Sequence, residues 1–113
     1  ILLKYENGST GTINYFANGS KEYPKERIEI YSQERTLVID NFRVTTGYGF
    51  ENFKKLKSSL DKGHKKQFEL LINQAKSGGP PLIPVDEIIN TTKASFAAIE
   101  SLKNGSWVQI DKL

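Results

Sequence analysis

At 113 residues the chain fits one domain with a single core of its own. It has no cysteine, which excludes a disulfide framework and any thiolate metal site. Sixteen Lys and Arg stand against 13 Asp and Glu, a net charge of +3, and no apolar run approaches the ~20 residues of a bilayer crossing.

The first half reads as strands. Residues 1–5 make a short apolar start, closed by the turn signal Asn7-Gly8. Residues 10–17 alternate, with Thr12, Asn14 and Phe16 against Ile13 and Tyr15, up to a second Asn-Gly at Asn18-Gly19. Asn-Gly supplies the positive φ of tight hairpin turns, so both dipeptides point to antiparallel pairing. Residues 27–31 set Ile28 and Ile30 against Arg27, Glu29 and Tyr31. Gln33-Glu34-Arg35 reads as a turn and residues 36–39 as a β-branched run. Asp40-Asn41 punctuates it, and residues 42–46 extend again. Gly47-Tyr48-Gly49 reads as another turn, and residues 53–57 as a last, weaker strand.

The second half reads as helices. Asp61 is a natural N-cap, because its carboxylate can accept from the free N–H groups of a first turn. His64, Phe68, Leu71, Ile72 and Ala75 then follow at helical spacing on one stripe. Gly78-Gly79 ends that helix and Pro80-Pro81 forbids its resumption. Pro84 precedes a second helix with Asp86 and Glu87 in its first turn, where the dipole favours them. Ile88, Ile89, Thr92, Phe96, Ile99 and Leu102 form its apolar side, Asn104-Gly105 stops it, and residues 107–110 read as a tail strand. Strands followed by helices predict an α+β fold. The expected form is an open, mainly antiparallel sheet of about five or six strands, with two long helices packed on one face. The other sheet face would be apolar and open, and a neighbouring domain or a second copy should cover it.

The chemistry-bearing residues are sparse. His64, with Asp61 and Glu69 near it, invites an acid–base or metal reading. One His without Cys is a poor ligand set, and its place on the stripe favours packing. Gly8-Ser9-Thr10-Gly11-Thr12 has no Lys behind it, and Gly47-Tyr48-Gly49 lacks a third glycine, so both read as turns rather than phosphate loops. Asn-X-Ser/Thr triplets begin at Asn7, Asn18, Asn90 and Asn104; three are Asn-Gly, where turn chemistry produces the pattern. The basic stretch Lys54, Lys55, Lys57, Lys62, Lys65 and Lys66 reads as a solvated linker more readily than as a track for a nucleic-acid backbone.

Three segments carry a resemblance: GSTGTINYFANGS, YPKERIEIYSQERTLVIDNF, and DKGHKKQFELLINQAKSGGPPLIPVDEIINTTKASFAAIESLKNG. Their order and spacing resemble the C-terminal part of the Gfo/Idh/MocA family of NAD(P)-dependent oxidoreductases. Within that family the wording is most similar to members from polysaccharide or sugar-nucleotide loci, some fused behind a zinc-type alcohol dehydrogenase module. The resemblance implies that residues 1–113 are a C-terminal substrate and oligomerisation domain, with its dinucleotide-binding domain upstream. The lack of any Met and the start at Ile1 fit that expectation.

By the same resemblance, the intact protein would transfer hydride between NAD or NADP and a sugar, cyclitol or nucleotide sugar. This portion would hold no cofactor and have no activity alone. The family's Glu-Lys-Pro motif does not occur here, and neither does its Asp-x-x-x-His pair, since Leu60 stands four residues before His64. No catalytic residue is therefore carried over. A family Tyr that points into the sugar pocket matches Tyr23, with Lys21 and Lys25 as partners for an anionic sugar or phosphate; the plain alternative is an exposed charged turn. The partners implied are the upstream domain and further copies through the open sheet face, with no nucleic acid and no membrane, in a cytoplasmic setting. The rival expectation is a stand-alone, non-enzymatic binding or assembly module.

Overall fold

The computed structural model describes residues 1–112 and divides them into two compact units. One comprises residues 1–15 together with residues 66 onward; the other comprises Phe16–Lys65. Together they hold six strands, two long helices and a 3₁₀ turn, an α+β composition.

In the first unit, strands β1 (Leu2–Lys4) and β2 (Thr10–Thr12) form an antiparallel hairpin with Leu3 opposite Gly11. Its turn is the expected Asn7-Gly8. Gly8 takes φ 86° and its N–H donates to Tyr5 O at 3.0 Å, while Asn7 Oδ1 accepts from Ser9 N at 3.0 Å. The longer strand expected over residues 10–17 stops at Thr12. Residues 13–16 leave regular structure, and Asn18-Gly19 turns an irregular segment instead of joining two strands.

The second unit carries a four-stranded antiparallel sheet in chain order. Its strands are β3 (Arg27–Ser32), β4 (Arg35–Asp40), β5 (Val44–Tyr48) and β6 (Lys55–Lys57). The first two connections are tight turns and the third runs over residues 49–54; each joins strands adjacent in sequence, so sequence order equals spatial order. The six strands thus fall into a pair and a quartet. Pairing Ile28 with Ile39, Ile39 with Thr45 and Thr45 with Leu56 fixes the register.

Because side chains alternate along a strand, that register sorts the whole sheet. Ile28, Ile30, Leu37, Ile39 and Leu56 share one face; Arg27, Glu29, Tyr31, Lys55 and Lys57 share the other. On the apolar face Leu37 and Ile39 are half-buried, whereas Ile28, Ile30 and Leu56 are exposed.

Gly47 lies inside β5, not in the expected turn, and the reason is steric. A Cβ there would come within 2.5 Å of the Phe53 ring and 3.0 Å of Phe50. Those rings meet edge to face at 6.1 Å, and the Arg35 guanidinium sits 5.5 Å from the Phe50 ring centre. Edge-to-face pairs of this kind contribute roughly 0.5–1.5 kcal/mol beyond their buried area.

Helix α1 spans His64–Ser77, with its first two residues in the second unit and the rest in the first, and α2 of the first unit spans Val85–Asn104. Both stops are glycines in the left-handed region, as expected: Gly78 at φ 69° and Gly105 at φ 63°. Gly79 N–H donates to Gln74 O at 3.1 Å and Gly105 N–H to Ser101 O at 2.9 Å, so each stop satisfies a carbonyl of the last turn. Asp61 does not cap α1. Its Oδ1 accepts from Gly63 N at 2.8 Å in a local turn that ends where the helix begins. Pro84 occupies the N-cap of α2 without a side-chain bond, with Asp86 and Glu87 in the first turn. The expected tail strand is absent among the described residues; a 3₁₀ turn, Ile110–Lys112, packs back on α2 instead. Ala97 of α2 is the one apolar residue that is buried among the described residues.

Candidate functional site

Within the sheet unit, one segment and two turns converge on an open concavity of about 410 Å³. Residues 21–26 form one wall. Asn41 and Phe42 come from the β4–β5 turn, and Leu60 and Lys62 from the chain beyond β6.

The segment leading into β3 is shaped by Ser20. Its Oγ accepts from Glu22 N at 3.2 Å and its carbonyl from Tyr23 N at 3.1 Å, which folds Lys21, Glu22 and Tyr23 into a compact bend. Ser favours this kind of local bond to its own backbone. Pro24 follows, and a proline restricts the residue before it to extended conformations. The bend is tied to the opposite wall by Asn41 N–H, which donates to Glu26 O at 2.7 Å.

The β4–β5 turn is unusual. Asn41 and Phe42 both have positive φ, 48° and 53°, and Arg43 N–H closes the turn on Asp40 O at 2.9 Å. A turn with two successive positive φ angles favours Asn-Gly. Asn41 suits its position; a Phe in the second is a true outlier, because its Cβ crowds the backbone there. The β3–β4 turn repeats this geometry with Gln33 at 49° and Glu34 at 59°.

Lys21, Tyr23 and Lys25, singled out in the sequence, therefore line one concavity. Lys62 joins them, held in place after Asp61 by the Asp61–Gly63 turn. None of the three lysines forms an ion pair among the described residues. Sequence reading missed Asn41, Phe42, Leu60 and Lys62 as site residues. The signal for Phe42 was present in the Asp40-Asn41 punctuation, which placed a turn there but did not reveal that Phe occupies its second left-handed position.

The other candidates lie elsewhere. His64 is the first residue of α1 and is exposed, while Asp61 is committed to Gly63 and Glu69 lies 4.0 Å from Lys66. No group of three His, Asp or Glu that could hold a metal occurs among the described residues. Asn104 donates its amide to Glu100 Oε1 at 2.6 Å, and Asn90 lies within α2. On the polar face of β3, Glu29 accepts from Tyr31 Oη at 2.5 Å and from Arg27 Nε at 2.6 Å. These two bonds, the tyrosine's first, hold the Glu29 carboxyl below its ordinary range.

Neither glycine cluster suits a dinucleotide. Gly8 and Gly11 belong to the β1–β2 hairpin and Gly47 is covered by Phe53; no helix starts after either cluster to face a pyrophosphate. Among the described residues, no helix is long and apolar enough to cross a membrane. No family model matches the chain, and no curated protein or solved structure shows significant similarity to it.

Proposed function

We propose that this chain is the substrate-side portion of a Gfo/Idh/MocA-type oxidoreductase that uses NAD or NADP and acts on a sugar, cyclitol or nucleotide sugar. In this reading it supplies a wall of the substrate pocket and an oligomer interface, and the upstream domain supplies the cofactor site. The observation that carries the reading is the two-sided sheet. Ile28, Ile30 and Leu56 stay exposed on the largely apolar face of a sheet whose register is fully specified, with Thr45 between Ile39 and Leu56 on that face. A face of that kind in a soluble protein is the mark of a surface meant to be covered. The concavity that gathers Lys21, Tyr23 and Lys25 supports the pocket-wall role.

The test is turnover. The complete gene product, assayed for nicotinamide reduction against a panel of aldoses, cyclitols and nucleotide sugars, should oxidise at least one of them. Residues 1–113 alone should neither turn over nor bind the nucleotide. Nucleotide binding by residues 1–113, or a complete gene product inert toward the whole panel, contradicts the proposal.

A further inference from the structure

We infer that Asn18 is a site of self-modification: in the folded chain it loses its amide ahead of the other Asn-Gly positions, leaving an aspartyl or isoaspartyl residue at position 18. Water is the only co-reactant, so the step calls on no cofactor and no upstream domain.

The chain contains its own comparison. Asn-Gly-Ser occurs three times, beginning at Asn7, Asn18 and Asn104. The reaction is the same at each. The backbone nitrogen of the glycine gives up its proton to solvent and attacks the asparagine Cγ. The new C–N bond closes a five-membered succinimide, the Cγ–Nδ2 bond breaks, and the amide nitrogen leaves as ammonia. Water then opens the ring at either carbonyl. Glycine favours the attack because it has no Cβ in the way and the freest backbone. All three asparagines are exposed, so neither the tripeptide nor access to solvent separates them.

Hydrogen bonding does separate them. At the first, Gly8 N–H donates to Tyr5 O at 3.0 Å and Asn7 Oδ1 accepts from Ser9 N at 3.0 Å, in the turn that joins β1 to β2. At the third, Gly105 N–H donates to Ser101 O at 2.9 Å and Asn104 Nδ2 to Glu100 Oε1 at 2.6 Å, at the end of α2. In both places the attacking nitrogen and the attacked side chain are held apart in separate bonds, and the reaction waits for local opening. Asn18 lies in residues 13–20, which form neither strand nor helix. Among the described residues, neither its side chain nor Gly19 N–H has a hydrogen bond of ordinary geometry. Each bond favours the closed form modestly, so two together lower the reactive population about tenfold or more. The product matters to its neighbours. It places a carboxylate ahead of Lys21, and the isoaspartyl form adds a main-chain carbon just before the bend that Ser20 holds.

The test ages the complete gene product at mildly alkaline pH, both folded and in denaturant, and follows amide loss at each position by peptide mass spectrometry. Cleavage after Phe16 separates Asn7 from Asn18. In the folded protein Asn18 should convert about tenfold faster, or more, than Asn7 and Asn104. In denaturant the three rates should converge, because the tripeptides are identical. Gly19→Ala is a variant that keeps the fold: Gly19 lies outside the left-handed region, and a Cβ there would meet only Phe16 O at 3.9 Å. It should leave the melting temperature unchanged and slow conversion at Asn18 about tenfold or more. Equal rates at the three positions in the folded chain overturn the inference, as does faster conversion at Asn7 or Asn104. An advantage of Asn18 that persists undiminished in denaturant overturns it too, since flanking sequence and not the fold would then be the cause.

Discussion

At the scale of single residues, the chain uses short polar contacts to fix exposed positions. Glu29 is the clearest, with donors from Tyr31 and Arg27 on its own strand face. The folded carboxyl titrates below its ordinary value, so this contribution to stability is complete above the unfolded pKa and fades as pH falls through the folded one. Tyr31 behaves oppositely: donating to Glu29 raises its pKa, and its contribution is present below the unfolded value and lost as pH rises through the folded one. Tyr31→Phe should therefore move the Glu29 titration upward, read by carboxyl NMR against pH. An unchanged titration would mean the bond is not populated in solution. That triad was half legible in the sequence. Alternation placed Arg27, Glu29 and Tyr31 on one face, but nothing in it distinguished a bonded carboxylate from a solvated one.

At the scale of elements, glycine positions separate what sequence can reveal from what only packing reveals. Gly78 and Gly105 were readable as helix stops, because a helix end demands a local φ that few residues accept. Gly47 was misread as a turn. Its lack of a side chain serves Phe53, a contact from six residues along, and no local rule reports that. Asn18-Gly19 was misread in the same direction: the dipeptide makes a turn, but strands on both sides are needed for a hairpin, and residues 13–16 do not supply one. The site followed the same logic. Lys21, Tyr23 and Lys25 sit in one short segment, so a resemblance could find them together. Phe42 and Lys62 reach them only through the β3–β4 register and the Asp61 turn.

Glycine also gives the element-scale prediction. Gly49 has φ 75°, and a Cβ there would lie 2.7 Å from Glu34 O, a backbone atom that cannot swing aside. Gly105 has a similar φ of 63° but open space around it. Gly105→Ala should therefore cost about 1 kcal/mol, from conformation alone. Gly49→Ala should cost roughly 2 kcal/mol or more, since a steric clash adds to the same strain. Denaturant melts of the two variants check the ranking, and equal losses would contradict it.

At the scale of the whole molecule, apolar burial is slight among the described residues. The apolar sides of both helices stay exposed at Phe68, Leu71, Ile88, Phe96 and Leu102, and Ala97 is the buried exception. Residues 1–113 expressed alone should therefore self-associate and bind a hydrophobic dye. Ile30→Lys, on the open sheet face, should shift sedimentation toward monomer, whereas a lysine in place of Thr46 on the polar face should not. Equal behaviour of the two variants would place the association elsewhere. The α+β composition was legible because period-2 and period-3.6 patterns occupy separate halves of the chain. The division into a hairpin and a quartet was not, because both have the same local pattern.

The most direct test of the central claim is to read the coding sequence upstream of Ile1 to its start codon. The oxidoreductase account predicts a strand, a Gly-x-Gly-x-x-Gly turn and a helix, followed by Glu-Lys-Pro and Asp-x-x-x-His. A start codon immediately upstream, or an unrelated preceding domain, would contradict it and leave a binding or assembly module.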